Sequence, residues 1–390
     1  MKVFIRVDAS TQIGTGHVMR CLTLAGDLKQ FEMEVSFICR VLPGNLCGYI
    51  ESKGFKVYRL KVETNLAEDK YWERLGKNWL EDAQETRKIL LNKATDLSDM
   101  NNIDKQALFL NEGYNEEENI TNISSRIVAK IFSNAEISLE SASNLSLVVD
   151  NYSLDIKWEK YLRPYVNKIM VVDDLANRPH DCDILLDQNY YKNLDSRYDG
   201  LIPSHCRKLL GPKYALLRPE FHQAKKNLRK RDGKVRRILV FFGGSDPTNE
   251  TVKTLEAIKL LNRPDIVIDV VVGAANPHKE EVKELCSQMT NTTYHCQVEN
   301  MADLMAAADL AIGAGGVTTW ERLYLELPTI AIAVAENQVE MLEALGEAGM
   351  VWYLGNNHIV EVSRLKAKTK YLIENLSDLL CIIKKVIMFF

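Results

Sequence analysis

The densest chemistry in the chain lies in Arg6-Val-Asp8-Ala-Ser-Thr-Gln-Ile-Gly14-Thr-Gly16-His17-Val-Met-Arg20. An apolar strand leads into a polar loop, a Gly-x-Gly turn and then a helix. Gly14 and Gly16 let the backbone approach a ligand closely, and free N–H groups at the helix start favour an anion. The spacing is not a dinucleotide fingerprint, because Met19 stands where a third glycine would be needed. Nor does the Gly-Lys-Ser/Thr of a P-loop follow. His17 falls in the first helical turn, at the carboxyl end of the sheet. A helix N-terminus disfavours imidazolium, so the ring is expected to serve as a neutral base. Asp8 or another nearby acceptor is expected to orient it. A lone histidine is more often structural, but this glycine-flanked setting turns the balance to catalysis.

A second signal is Leu310-Ala-Ile-Gly313-Ala-Gly315-Gly316-Val317-Thr318-Thr319-Trp320-Glu321. Backbone amides of Gly315, Gly316, Val317 and Thr318 could cradle a diphosphate, and Glu321 could take two ribose hydroxyls. A capping box, with Thr318 as N-cap and Glu321 at the third helical position, explains the same residues more plainly. Three glycines exceed what a cap requires. Gly243-Gly244-Ser245-Asp246-Pro247-Thr248-Asn249 is a third glycine-rich strand end and points toward the same cleft.

The elements that must position these loops recur twice. Lys2–Val7, Val35–Cys39, Lys56–Leu60, Leu145–Asp150, Lys168–Val172 and Asp183–Leu186 read as strands, with a helix over His17–Gln30. Continuous apolar runs ending in acidic residues suit buried parallel strands. The pattern restarts with Arg237–Phe242, Ile266–Val272, Leu310–Ile312 and Pro328–Val334. The expectation is an α/β protein of two Rossmann-like doubly wound domains, residues 1–232 and 233–390, facing each other across a cleft. Thr95–Asn144 breaks the pattern with nine acidic and three basic residues, eight asparagines and no proline. It reads as an acidic insertion, partly helical, that decorates the first domain.

Composition narrows the function classes. The 390 residues are 46% hydrophobic and 26% charged, with net charge −4, which is ordinary for a globular protein and gives no electrostatic case for nucleic acid. Lys225–Arg237 holds eight basic residues against one acidic. Without aromatic interleaving it reads as a solvated helix end and linker rather than a nucleic-acid patch. The eight cysteines form no CxxC pair, so neither a disulfide framework nor a zinc ribbon is expected. No His/Asp/Glu cluster has metal-ligand spacing, and neither a metal nor a cofactor is expected. No apolar run reaches membrane-spanning length, and Arg6 and Asp8 interrupt the N-terminal run, so the expected setting is cytoplasmic.

Two α/β halves with opposed glycine-rich turns form the plan of GT-B nucleotide-sugar enzymes. The chain resembles the UDP-sugar hydrolases of pseudaminic acid biosynthesis. The resemblance is carried by Arg6-x-Asp8, Ile13-Gly14-x-Gly16-His17-x-x-Arg20, Val149-Asp150-Asn151-Tyr152, Asp173-Asp174 and Asp183-x-x-x-Asp187-Gln-Asn189. It continues through Gly211-Pro-Lys-Tyr214-Ala-Leu-Leu-Arg218-Pro-Glu220-Phe221, Gly243-Gly244-Ser-Asp246 and Glu336-Asn337-Gln338. It implies His17 as catalytic base, nucleotide contacts from Asn249 and Glu321, and a sugar pocket lined by Tyr152 and Asn337. Arg6, Asp8, Gly14 and Gly16 are expected to contact substrate, and Gly243 and Gly244 the phosphates. The implied reaction is metal-independent hydrolysis of a UDP-linked 2,4-diacetamido-2,4,6-trideoxy sugar by a monomer. A helix-stabilised diphosphate is a good leaving group, so activating one water suffices, and direct attack inverts the anomeric centre. A GT-B glycosyltransferase, or a nucleotide-sugar-binding protein without turnover, would share the nucleotide site.

Overall fold

The computed structural model describes residues 1–62, 75–94, 122–133 and 144–389. Seven parallel strands form the first sheet: β1 (Lys2–Val7), β2 (Glu34–Arg40), β3 (Lys56–Leu60), β4 (Leu145–Asp150), β5 (Lys168–Val172), β6 (Ile184–Asp187) and β7 (Arg207–Leu210). Their order is β3-β2-β1-β4-β5-β6-β7. Six more form the second: β8 (Arg237–Phe241), β9 (Val267–Val272), β10 (Thr292–Cys296), β11 (Leu310–Ala314), β12 (Thr329–Ala333) and β13 (Trp352–Asn356), in the order β10-β9-β8-β11-β12-β13. Central strands such as LSLVVD and LAIGA are buried throughout because helices cover both faces. The strands absent from the sequence reading, β7, β10 and β13, are all sheet edges. Their half-exposed RKLL, TTYHC and WYLGN lack a continuous apolar run.

Strand order reverses between β1 and β4 in the first sheet and between β8 and β11 in the second. In open parallel sheets the crevice outside the carboxyl ends at such a reversal is where ligands bind. The loops after β1, β4, β8 and β11 are those that carry Gly14–His17, Asn151–Tyr152, Gly243–Asn249 and Gly315–Thr318.

The helices that position the site are α1 (Gly16–Gln30), α2 (Trp79–Ala94), α3 (Ile123–Ser133), α4 (Pro219–Lys226), α5 (Glu250–Lys259), α6 (Thr318–Tyr324), α7 (Val339–Glu347) and α8 (Leu376–Phe389). The third corrects the expectation for Thr95–Asn144. Val128, Ala129 and Phe132 of α3 are buried with Leu24 and Leu28 of α1 in the first core. Ser125 Oγ and Asn122 Nδ2 donate to the buried Asp27 Oδ2 at 2.6 and 2.8 Å. Residues 122–133 are therefore core structure, since an apolar stripe at Ile127, Val128, Ile131 and Phe132 has a helix-period face to bury. Residues 95–121 and 134–143 lie outside the described residues.

The basic connector turns its charge inward. Arg231 is buried and donates to the carbonyls of Met305, Ala306, Ala308, Leu325 and Glu326, at and near the ends of the helix Met301–Ala307 and of α6. Orphan carbonyls at helix ends are a natural seat for a guanidinium. Burial lowers the Arg231 pKa to about 10, which leaves it charged at neutral pH. Ile382 and Val386 of α8 pack with Tyr191, Ala215 and Leu217 of the first domain and Trp320 and Met341 of the second. Among the described residues no helix is long and apolar enough to cross a membrane.

Candidate active site

His17 is the second residue of α1, and its ring Nδ1 lies 2.6 Å from Asp150 Oδ1 at the end of β4. β1 and β4 are neighbours, with Val7 opposite Asp150, so the strand reversal itself brings the pair together. Arg20, one turn further on, donates to both Asp150 oxygens at 2.6 and 2.7 Å and to Asp174 Oδ2 at 3.1 Å. Burial would raise the Asp150 pKa, but Arg20 and His17 outweigh it and hold the carboxyl well below the usual carboxylate range. An ionised carboxylate only accepts, so Nδ1 carries the ring hydrogen and Nε2 keeps its lone pair. Tyr152 meets the His17 ring edge-on, centroids 4.6 Å apart, and its hydroxyl donates to Asp174 Oδ1 at 2.6 Å. Burial, with Asp174 adding to it, pushes the phenol well above its ordinary range.

Two residues expected at the substrate are held by protein partners. Arg6 is 0% exposed, with Nε and Nη2 on the Asp82 carboxylate of α2 at 3.1 and 2.7 Å and Nη1 on Asp8 Oδ1 at 2.6 Å. Asp8 also accepts from Arg40 N at 2.7 Å and Asn151 Nδ2 at 3.1 Å. Both residues sit under the loop and brace it, and the partner of His17 is Asp150 rather than Asp8. Asp150 and Asp174 were present in the sequence motifs without a role. Their signal was an acidic residue at the carboxyl end of a buried parallel strand, or just beyond it, beside the reversal point.

In the second domain the glycines nest. A Cβ added at Gly244 would stand 3.0 Å from Thr15 Oγ1 of the His17 loop, and one at Gly273 would overlap the Gly244 carbonyl. Gly243 has φ +95°, open to glycine at little cost. Asp246 caps α5, accepting from Glu250 N, Thr251 N and Thr251 Oγ1 at 3.0, 2.9 and 2.6 Å. Asn249, also left-handed at φ +58°, donates Nδ2 to Glu281 Oε2 at 3.0 Å, and its buried Oδ1 has no hydrogen-bond partner among the described residues. Gly315 N already donates to Gln338 Oε1 at 3.2 Å, and a Cβ there would stand 2.6 Å from Leu342 Cδ1. Its need is close packing, while Gly316 faces open space.

The capping box does not form. Val317 holds the N-cap position, Thr318 opens α6, and Glu321 Oε1 accepts from Arg218 Nε at 2.8 Å. Glu321 Oε2 is buried and without a hydrogen-bond partner among the described residues. Arg322 lies behind the turn, donating to Ala314 O at 2.6 Å and Thr319 Oγ1 at 3.1 Å. Burial lowers its pKa to about 10, so a positive charge stays under the glycine turn.

The two halves of the site meet across the cleft. A Cβ at Gly16 would stand 3.5 Å from Val317 Cγ2, Asn337 Nδ2 donates to Tyr152 Oη at 3.2 Å, and Trp320 Nε1 donates to Asn189 Oδ1 at 3.0 Å. The His17–Asp150 pair thus faces the glycine turns of the second domain.

Residues 237–380 match the glycosyltransferase family 28 C-terminal domain. The chain is similar, at 26% identity over 90% of its length and 97% of the relative's, to UDP-2,4-diacetamido-2,4,6-trideoxy-beta-L-altropyranose hydrolase of Campylobacter jejuni. It is also 26% identical to the uncharacterized protein MJ1062 of Methanocaldococcus jannaschii, over 87% of this chain but only 57% of that longer protein. Among solved structures, MurG of Acinetobacter baumannii superposes with TM-score 0.54 at 12% identity, covering 99% of this chain and 94% of that one. The fold is GT-B: two parallel-sheet α/β domains with a cleft between their carboxyl ends.

Chemically, a histidine with Nδ1 tied to a carboxylate presents Nε2 as a proton acceptor and stabilises the imidazolium that forms. Glycine-turn amides and Arg322 across the cleft offer positive potential for an anion.

Proposed function

We propose that the protein is a UDP-sugar hydrolase that cleaves the anomeric bond of a UDP-linked 2,4-diacetamido-2,4,6-trideoxy sugar. His17 Nε2 takes a proton from water as the water attacks the anomeric carbon, and Asp150 holds the ring and the charge that develops. The leaving diphosphate rests against the amides of Gly243–Gly244 and Gly316–Thr318, with Arg322 beneath the latter turn. Glu321 and Asn249 hold the nucleoside, and Tyr152 and Asn337 flank the sugar. One displacement by water inverts the anomeric centre.

The observation that carries this reading is the His17–Asp150 pair set opposite the glycine turns. Similarity to a hydrolase across both domains favours water as acceptor. The family 28 match supports the second reading, a glycosyltransferase using a UDP-sugar donor. Incubation with the UDP-linked sugar and no acceptor separates them. Hydrolysis gives UDP by phosphorus NMR and free sugar whose first-formed anomer is inverted. Slow UDP release that an added acceptor accelerates would replace hydrolase by transferase.

A further inference from the structure

The connector between the two sheets supplies a side chain to the nucleotide half of the site. Arg218 immediately precedes α4 and has an extended backbone, φ −62° and ψ 145°, as a residue before proline prefers. Its neighbour Leu217 is fixed at both backbone groups by one buried side chain: Leu217 N donates to Asn122 Oδ1, and Asn122 Nδ2 donates to Leu217 O, each at 3.0 Å. The Arg218 guanidinium lies 4.9 Å from the ring of the fully buried Phe221. A cation over an aromatic face gains affinity and loses rotational freedom. From this post Nε donates to Glu321 Oε1 at 2.8 Å and Nη1 pairs with Glu220 Oε1 at 3.0 Å.

Glu321 is 3% exposed. One oxygen is held by Arg218 and the other, Oε2, is buried and unpartnered among the described residues. An unsatisfied buried carboxylate oxygen is costly unless a ligand completes it. We propose that Arg218 is a positioning residue that sets nucleotide specificity, fixing Glu321 so that Oε2 accepts from the ribose diol and deoxynucleotides are rejected. This rests on Glu321 being the ribose contact of the proposed function. The first domain thereby completes a pocket of the second, and the helix inside the former insertion steadies it through Asn122.

The test is calorimetric titration of wild type, R218M and R218K with UDP and with 2′,3′-dideoxy-UDP. Wild type should bind UDP at least about tenfold more tightly than the dideoxy compound, the value of one bond to a charged acceptor. In R218M the preference should collapse because UDP weakens while the dideoxy affinity holds. R218K, with one donor able to reach Oε1, should keep an intermediate preference, and it stands in if R218M does not fold. A merely structural arginine would weaken both nucleotides equally. A preference in R218M, or in R218K if only that variant folds, equal to that of wild type would overturn the proposal. Wild type without any preference would instead remove the Glu321–ribose assignment on which it stands.

Discussion

At the scale of residues, the first-domain half of the site is a buried charge arrangement centred on Asp150. Asp150 accepts from His17 and twice from Arg20, so its ionisation and the tautomer of His17 are decided together. His17→Ala removes the proposed base and should lower kcat by on the order of 10²–10⁴ while UDP affinity stays the same. Asp150→Asn leaves the ring in place but offers an amide that can also donate to Nδ1, so the hydrogen can move to Nε2. We expect a kcat loss in the same range, again at constant UDP affinity, measured by steady-state kinetics beside calorimetry. Full activity in either variant would remove the assigned base. Because Asp150 stays ionised far below neutrality, the acid limb of the pH–rate profile should shift little in Cys21→Ala, which deletes its weak thiol donor at 3.4 Å.

At the scale of elements, α3 is the part of the chain whose role changed most between sequence and structure. Phe132 is 1% exposed in the first core. Phe132→Ala should destabilise the protein by about 3–5 kcal/mol in urea unfolding, where a decorative segment would give almost nothing. Asn122 also joins α3 to the second domain. Its Oδ1 lies 3.2 Å from His222 Nε2, and His222 Nδ1 lies 3.0 Å from Tyr324 Oη on α6. The acceptor at Asn122 sets the hydrogen on Nε2, so a neutral His222 accepts from Tyr324. Burial, with Lys226 nearby, lowers the His222 pKa from its ordinary 6.5. The unfolded chain then binds the proton more readily, so stability is full above about 6.5 and declines as pH falls through the window below it. Melting temperatures of His222→Gln should fall less steeply than wild type over that window. The comparison cancels the carboxylates common to both proteins, Asp27 included.

At the scale of the molecule, the two domains share an apolar cluster, with Tyr191, Ala215 and Leu217 packed against Trp320 and Met341, and are joined besides by directional contacts. Asn337 donates to Tyr152, Arg218 to Glu321 of α6, and Arg197 to Glu340 of α7 at 2.9 Å. Asn337→Ala should raise KM for the UDP-sugar roughly fivefold, about the worth of one hydrogen bond, with UDP affinity unchanged. An equal loss for UDP alone would place Asn337 at the nucleotide instead.

The two-sheet plan and the loops of the site were legible in the sequence, because a strand buried on both faces must be apolar throughout and a backbone that closely approaches its neighbour must be glycine. His17 stood out as a candidate base, a titratable side chain among glycines at a helix start. Local pattern could not reveal which carboxylate holds it. Asp8 is nine residues away and Asp150 is 133, and only the order of β1 and β4 in the sheet decides between them. The same holds for Arg6, whose burial depends on α2 bringing Asp82 beneath the loop, and for Glu321, whose carboxylate pairs with the distant Arg218. Periodicity and backbone conformation are properties of neighbours along the chain, whereas ion pairing and burial are set by which distant segments the fold makes adjacent.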